Sequence, residues 1–222
     1  EEGSWWDVIP LMMKMPHRVR NISLIGHYQH GKSLLMDIFV QESHGRIAAS
    51  EVEKEGSLAQ IRYKEYSQLW DPCKVEDVRY TDTRRDERTR KMSGMMTPMS
   101  LMMRNLKSDS LLINFFDTPG HSDLLDEASA SARIADGALL VVDIYEGVTL
   151  NTELSLKRAL LEDVTICLCI SKLDKCIVGP EKCSPRDAYN RIIKIIERLN
   201  TFIRKYSILN PESIVFDPAK GN

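Results

Sequence analysis

The octet Gly26-His27-Tyr28-Gln29-His30-Gly31-Lys32-Ser33 constrains this chain more than any other stretch. It follows residues 21–25 (Asn-Ile-Ser-Leu-Ile), where apolar side chains alternate as on a strand. It also opens a segment from Lys32 to about Glu42 in which Leu34, Leu35, Ile38 and Phe39 recur at helical spacing. A strand, a loop bounded by glycines and a helix N-terminus, in that order, let backbone N–H groups close around an anion. The G-x-x-x-x-G-K-S spacing is that of a phosphate-binding loop. Lys32 brings a point charge to the outer phosphates, and the Ser33 hydroxyl is a ligand for Mg²⁺.

The rest of the chain fits such a loop into a layered α/β domain. A polar stretch from Ser43 to Pro98 has no sustained apolar period and holds one short helix near Leu58 to Leu69. Strands follow near Met99–Met103 and Leu111–Phe116, then a helix from about Asp123 to Ala135 and a strand at Ala138–Val142. Next come a helix over Thr152–Glu162 and a strand over Thr165–Ile170. A long helix over Pro185–Tyr206 carries Ile192, Ile193, Ile196, Leu199 and Ile203 on one face. Strands alternating with helices predict parallel βαβ units in a doubly wound, mostly parallel sheet covered by helices on both faces. Residues 1–17 read as an N-terminal extension, and Pro211–Asn222 as a loop leading toward a further element.

Composition narrows the partners. With 30 Lys+Arg against 32 Asp+Glu the net charge is −2, so nothing draws the whole domain to nucleic acid or to an anionic membrane. Any RNA contact is local. The basic cluster Arg84, Arg85, Arg88, Arg90 and Lys91 reads first as a solvated charged loop and otherwise as a surface for RNA or protein. No apolar run approaches the ~20 residues that span a bilayer, so no membrane is expected. Of five cysteines, Cys167 and Cys169 alternate within an apolar run and read as small core or strand residues. Cys176 and Cys183 lack zinc-ligand spacing and have no His nearby, and with Cys73 the odd count of thiols fits a reducing compartment.

Two further motifs follow the loop in order. Asp117-Thr118-Pro119-Gly120-His121 closes a strand: Asp117 is placed to hold Mg²⁺, and the Gly120 N–H to sense a γ-phosphate. His121, directly after them, is the candidate for orienting an attacking water. Ser171-Lys172-Leu173-Asp174 closes a later strand. Asp174 there can accept two hydrogen bonds from guanine, which adenine cannot offer. The Lys172 stem can cover the base while its ammonium braces the phosphate loop.

These three motifs are together the signature of the GTPase superfamily, and the local wording resembles the translational class. Ile25-Gly26-His27, Tyr80-Thr81-Asp82-Thr83-Arg84-Arg85-Asp86-Glu87, Asp117-Thr118-Pro119-Gly120-His121 and Ala135-Asp136-Gly137 resemble elongation factor 2. The likeness runs from Arg18 to Asn222. Within that class the chain is most similar to the elongation-factor-2-like GTPases of the U5 small nuclear ribonucleoprotein. Gln29, Val40-Gln41-Glu42-Ser43-His44, Glu146-Gly147-Val148-Thr149-Leu150-Asn151-Thr152-Glu153 and Ser184-Pro185-Arg186-Asp187-Ala188-Tyr189 carry that likeness.

The resemblance implies a P-loop GTPase domain over residues 18–222 with a long switch I insertion, binding GTP or GDP with Mg²⁺. It ends before the last guanine-contacting strand and loop, with the later domains absent. Gly26, His27, Tyr28, Gln29, His30, Gly31, Lys32, Ser33 and Leu34 would contact nucleotide, with Asp117, Gly120, Ser171, Lys172 and Asp174. Ser33, Ser93 and Asp117 would serve the metal, Ser93 by alignment with the switch I threonine of translation factors. The implied setting is the nucleus, with the U5 particle, a large spliceosomal scaffold protein and a spliceosomal RNA helicase as partners.

Departures from the pattern point to slow or partner-dependent hydrolysis. Gln29 removes a phosphate-loop carboxylate that helps bind a monovalent cation. Lys91 stands where a glycine is common, and Ser171 replaces an asparagine near base and phosphate loop. The expectation is a switch or structural GTPase acting in spliceosome activation during pre-mRNA splicing. The alternative is an elongation-factor-2-type enzyme acting on ribosomes.

Overall fold

The computed structural model describes residues 10–52, 80–82, 84–104, 110–178, 183–206 and 216. The helix expected near Leu58–Leu69, Cys73, Thr83 and nearly all of the tail after Tyr206 lie outside them.

Strands β1 (Val19–Gly26), β2 (Thr97–Arg104), β3 (Ser110–Asp117), β4 (Gly137–Asp143) and β5 (Thr165–Ser171) form one sheet in the order β2-β3-β1-β4-β5. β3, β1, β4 and β5 run parallel, and β2 joins the edge antiparallel to β3. The described helices include α1 (Lys32–Val52), α2 (Arg85–Arg90), α3 (Leu125–Ile134), α4 (Leu150–Leu161), α5 (Lys175–Val178) and α6 (Pro185–Tyr206), and a 3₁₀ turn, Pro16–Arg18, precedes β1.

Adjacent residues of the central strands feed opposite layers, as the two-residue period of a strand requires. Ile25 and Leu140 face a core built with Leu156 and Ala159 of α4 and Ile195, Ile196, Leu199 and Ile203 of α6. Leu24 and Val141 face a second core with Met36 and Val40 of α1, Phe115 and Leu101. Phe115 stacks on Phe39 at 5.0 Å between ring centroids. Helices therefore cover both faces, as a doubly wound sheet demands. Phe216 is seated on the α6 layer, where its backbone N–H and C=O both bond to the Asn200 amide at 3.0 Å.

Several expectations shift. α1 continues ten residues beyond Glu42, to Val52. Gly45 reads as a breaker, but Arg46-Ile47-Ala48-Ala49 are mostly helix formers and carry the helix on. The helix expected from Asp123 is a 3₁₀ turn, Ser122–Leu124, continued by α3. Two short helices, α2 and α5, have no counterpart in the sequence pattern. Cys167 is on a strand, as expected, but is exposed and not part of the core.

Candidate functional site

The phosphate-binding loop leaves β1 through Gly26, whose φ is +144°. A Cβ at that position would collide with the Val141 carbonyl, so only glycine fits. Lys32 opens α1 and is 6% exposed. Its ammonium donates to the carbonyls of Gly26 at 3.1 Å and His27 at 2.9 Å, which arches it back over the loop. Burial pushes its pKa down to about 8, against the pull of the Asp117 carboxylate.

His30 is fully buried beneath the loop, with Nδ1 3.2 Å from the Val141 carbonyl and Nε2 3.2 Å from a Glu146 carboxylate oxygen. Burial lowers its pKa, opposed by the Val141 carbonyl and by Glu146. Its ring meets that of His27 edge-on at 5.1 Å.

Asp117 ends β3 level with Leu24 of β1 and is 1% exposed. Neither carboxylate oxygen has a hydrogen-bond partner among the described residues. Burial raises its pKa, while nearby Ser33, Thr81 and Lys32 draw it back. A buried carboxylate whose charge these neighbours offset only in part is costly, and a cation relieves that cost. The Ser33 Oγ lies 3.1 Å from the Ser93 Oγ, and Ser93 donates to the Asp82 carboxylate at 2.8 Å. The Asp82 charge in turn acts on Asp117. Two carboxylates and two hydroxyls form an all-oxygen donor set, which suits a hard divalent cation such as Mg²⁺. The alignment that selects Ser93 thus selects a residue that the fold brings to Ser33.

Asp82 escapes the sequence reading. It stands in the Tyr80-Thr81-Asp82 wording that carries the family likeness, but no local pattern marks it as part of this cluster. Asp37 of α1 helps place it by accepting the Tyr80 N–H at 3.1 Å. Buried Glu87 does more: its carboxylate accepts the backbone N–H groups of Arg84, Gly94 and Met95, closing the turn that carries Ser93. Lys91, just before that turn, adopts φ +52°, the left-handed conformation that favours the glycine expected there.

Gly120 packs directly on the phosphate loop. A Cβ there would come within 2.6 Å of the Tyr28 nitrogen and would strike the Lys32 ammonium. His121 follows, with its side chain 41% exposed. Its Nδ1 accepts the Asp123 N–H at 3.3 Å, which places the neutral ring's proton on Nε2. That tautomer presents a donor, suited to holding a water.

The Ser171 hydroxyl donates to the His30 carbonyl at 2.6 Å and also lies 3.3 Å from the Val142 carbonyl. The Lys172 ammonium is 2.6 Å from Asp143 at the end of β4, so it braces β4 where the phosphate loop was expected. Burial raises the Asp143 carboxyl, but Lys172 and the Tyr145 N–H outweigh it and hold its pKa below the usual range. Asp174 is exposed on the turn leading into α5.

Residues 17–217 match the family of the elongation factor Tu GTP binding domain. The chain is 37% identical over 211 residues to the 110 kDa U5 small nuclear ribonucleoprotein component CLO of Arabidopsis thaliana, across 95% of this chain and 19% of that protein. It is 33% identical over 216 residues to the pre-mRNA-splicing factor SNU114 of Saccharomyces cerevisiae, across 96% and 20%. These relatives bear out the likeness read from the motifs. The chain spans about a fifth of their length. A crystal structure from Thermus thermophilus superposes with a TM-score of 0.59 at 19% identity, covering 82% of this chain and 22% of that one, a likeness of fold. The chain belongs to the elongation factor Tu GTP binding domain family.

Proposed function

We propose that this domain binds GTP or GDP with Mg²⁺ as the nucleotide-responsive part of a U5 small nuclear ribonucleoprotein component acting in pre-mRNA splicing. The observation that carries the nucleotide reading is the contact between Ser33 and Ser93 beside buried Asp117. It joins the helix that opens after the phosphate loop to the segment before β2, where a metal bound to phosphate would hold both. Mg²⁺ would be held by Ser33 and Ser93, with Asp117 and Asp82 next to it, and would neutralise charge on the phosphates.

In this reading, residues Gly26 through Leu34 enclose the phosphates, and Gly120 sets the close approach of the second motif to them. Ser171 fixes the loop from below, Lys172 is held along β4, and Asp174 selects guanine. His121 orients water for hydrolysis to GDP and phosphate. That step is slow or partner-dependent, because Gln29 supplies no carboxylate to the loop and Lys91 resists the conformation that closes switch I.

The splicing role rests on the relatives named as U5 components and splicing factors. The proposed location is the nucleus. The proposed partners are the remainder of the U5 particle, a large scaffold protein and an RNA helicase, with a local RNA contact at the basic residues of α2. No helix among the described residues is long and apolar enough to cross a membrane.

The test is to isolate the endogenous protein, extract and identify its nucleotide, and ask which RNA co-sediments. Guanine nucleotide with small nuclear RNA supports the proposal. Ribosomal RNA would favour the translational reading, and an adenine nucleotide would overturn the base assignment.

A further inference from the structure

Cys176 and Cys183 are close in sequence, and they meet at one phenol. Cys176 lies in α5 and is 4% exposed; Cys183 is half-buried just ahead of α6. The Cys183 N–H donates to the Cys176 carbonyl at 3.1 Å. Standard backbone dimensions then keep the two Cα atoms within about 7 Å of each other. The Tyr145 hydroxyl is 3.6 Å from the Cys183 sulfur, also neighbours the Cys176 thiol, and lies 3.3 Å from the Lys175 carbonyl. The phenol can donate to that carbonyl, which leaves its oxygen able to accept from a thiol. The Arg191 guanidinium, 4.5 Å over the Tyr145 ring, holds the phenol in place.

The geometry points to Cys176 and Cys183 as a reactive dithiol, a modification site for reagents that bridge two sulfurs: low-molecular-weight disulfides and trivalent arsenicals. Their spacing is compatible with the Cα separation of about 4.4–6.8 Å that a disulfide needs. The more accessible Cys183 attacks first. Its thiolate bonds to one sulfur of glutathione disulfide, the S–S bond of the reagent breaks, and one glutathione thiolate leaves and takes up a proton. Cys176 then attacks the Cys183 sulfur, forms the intramolecular disulfide and expels the second glutathione. Two protein thiols are oxidised, one external disulfide is reduced, and the two protons end on the released thiols. The bridge ties α5 to the residue just ahead of α6. The chemistry does not depend on which nucleotide the domain binds.

The full chain, treated with glutathione disulfide, quenched in acid, alkylated and digested, should yield a peptide pair joined through Cys176 and Cys183. Cys176→Ser should trap the glutathione adduct on Cys183, and Cys183→Ser should prevent the bridge. Phenylarsine oxide should bind one per chain, with affinity reduced by about 10²-fold or more in either serine variant, because the second thiol acts at high effective concentration. Cys167 and Cys169, two apart on one face of β5, are the competing pair. Arsenical binding that survives Cys176→Ser but is lost in Cys167→Ser would overturn the assignment. So would an adduct on Cys183 that persists equally in wild type and Cys176→Ser.

Discussion

The Ser171 hydroxyl donates to the His30 carbonyl at 2.6 Å, so the end of β5 is tied directly to the phosphate loop. In the sequence, serine for asparagine looks like a loss, a shorter side chain with no carboxamide. In the fold it still reaches the loop, because β5 pairs with β4 in a register that sets Ser171 opposite Asp143. Removing the hydroxyl leaves a carbonyl short of one partner. Ser171→Ala should therefore weaken GTP and GDP alike by about 0.5–1.5 kcal/mol, roughly two- to twelvefold in Kd. Fluorescent-nucleotide titration measures this, and unchanged affinities would show that the loop holds its shape without the tie.

Ser33 and Ser93 should separate by nucleotide. Ser33, the second residue of α1, is proposed to serve the metal whichever nucleotide is bound, so Ser33→Ala should weaken both. Ser93 sits on a segment held by its bond to Asp82 and by the Glu87 turn. Such segments order on a γ-phosphate. Ser93→Ala and Asp82→Ala should each weaken GTP well beyond GDP in titrations at saturating Mg²⁺. Equal losses for the two nucleotides would remove this segment from γ-phosphate sensing.

Lys91 carries a backbone cost. A side chain in the left-handed region is disfavoured by roughly 1–2 kcal/mol, and glycine avoids most of that. Lys91→Gly should stabilise the end of α2 by about 1 kcal/mol. The Met92 N–H, bonded to the Glu87 carbonyl at 3.1 Å, should then exchange about fivefold more slowly. Unchanged exchange at Met92 would mean that the conformation is imposed from outside the turn at no local cost.

How much of this is readable in the sequence follows from where each signal resides. β1, the phosphate loop and α1 announce themselves because period and motif coincide, and Leu24 and Ile25 already show both faces of the strand buried. α2 is invisible there: Arg85–Arg90 has no apolar face, and its one buried side chain, Glu87, is held by hydrogen bonds to backbone outside the helix. Asp82 joins the site through long-range ties: Asp37 of α1 accepts the Tyr80 N–H, Arg88 donates to the Asp82 carbonyl and Ser93 to its carboxylate. The Lys172–Asp143 pair depends on strand register, which no single stretch of sequence encodes.

That pair sets an acid limit. Asp143 has a folded pKa below its unfolded value of about 3.9, so its contribution is present above that value and is lost as pH falls through the folded pKa. Lys172 keeps 22% of its side chain exposed, which reduces the worth of the contact to about 1–2 kcal/mol. Asp143→Asn should lower stability at pH 7 by that amount and flatten the loss below about pH 4. Denaturant melts at neutral and strongly acidic pH test this, and an unchanged acid limb would assign it to other carboxylates.

In the function proposed here, base selection rests on Asp174. Its exposed position, on the turn between the Ser171 tie and α5, leaves the carboxylate open to a ligand and sets it beyond the anchored loop. Guanine offers N1–H and a C2 amino group to such a carboxylate; xanthine keeps N1–H and replaces the amino group with a carbonyl. Asp174→Asn turns one acceptor into a donor, so it should reject GTP and admit xanthosine triphosphate. A site matched to one polar pattern excludes another strongly because unpaired groups stay desolvated, and the swing should reach about 10²-fold or more. Ser171→Ala serves as the contrast: it should weaken every nucleotide by a similar factor and leave base preference intact. Competition among GTP, ATP and xanthosine triphosphate on wild type and both variants separates the two roles. If Asp174→Asn retains wild-type GTP affinity, the carboxylate does not read the base, and guanine selection must lie elsewhere on the domain.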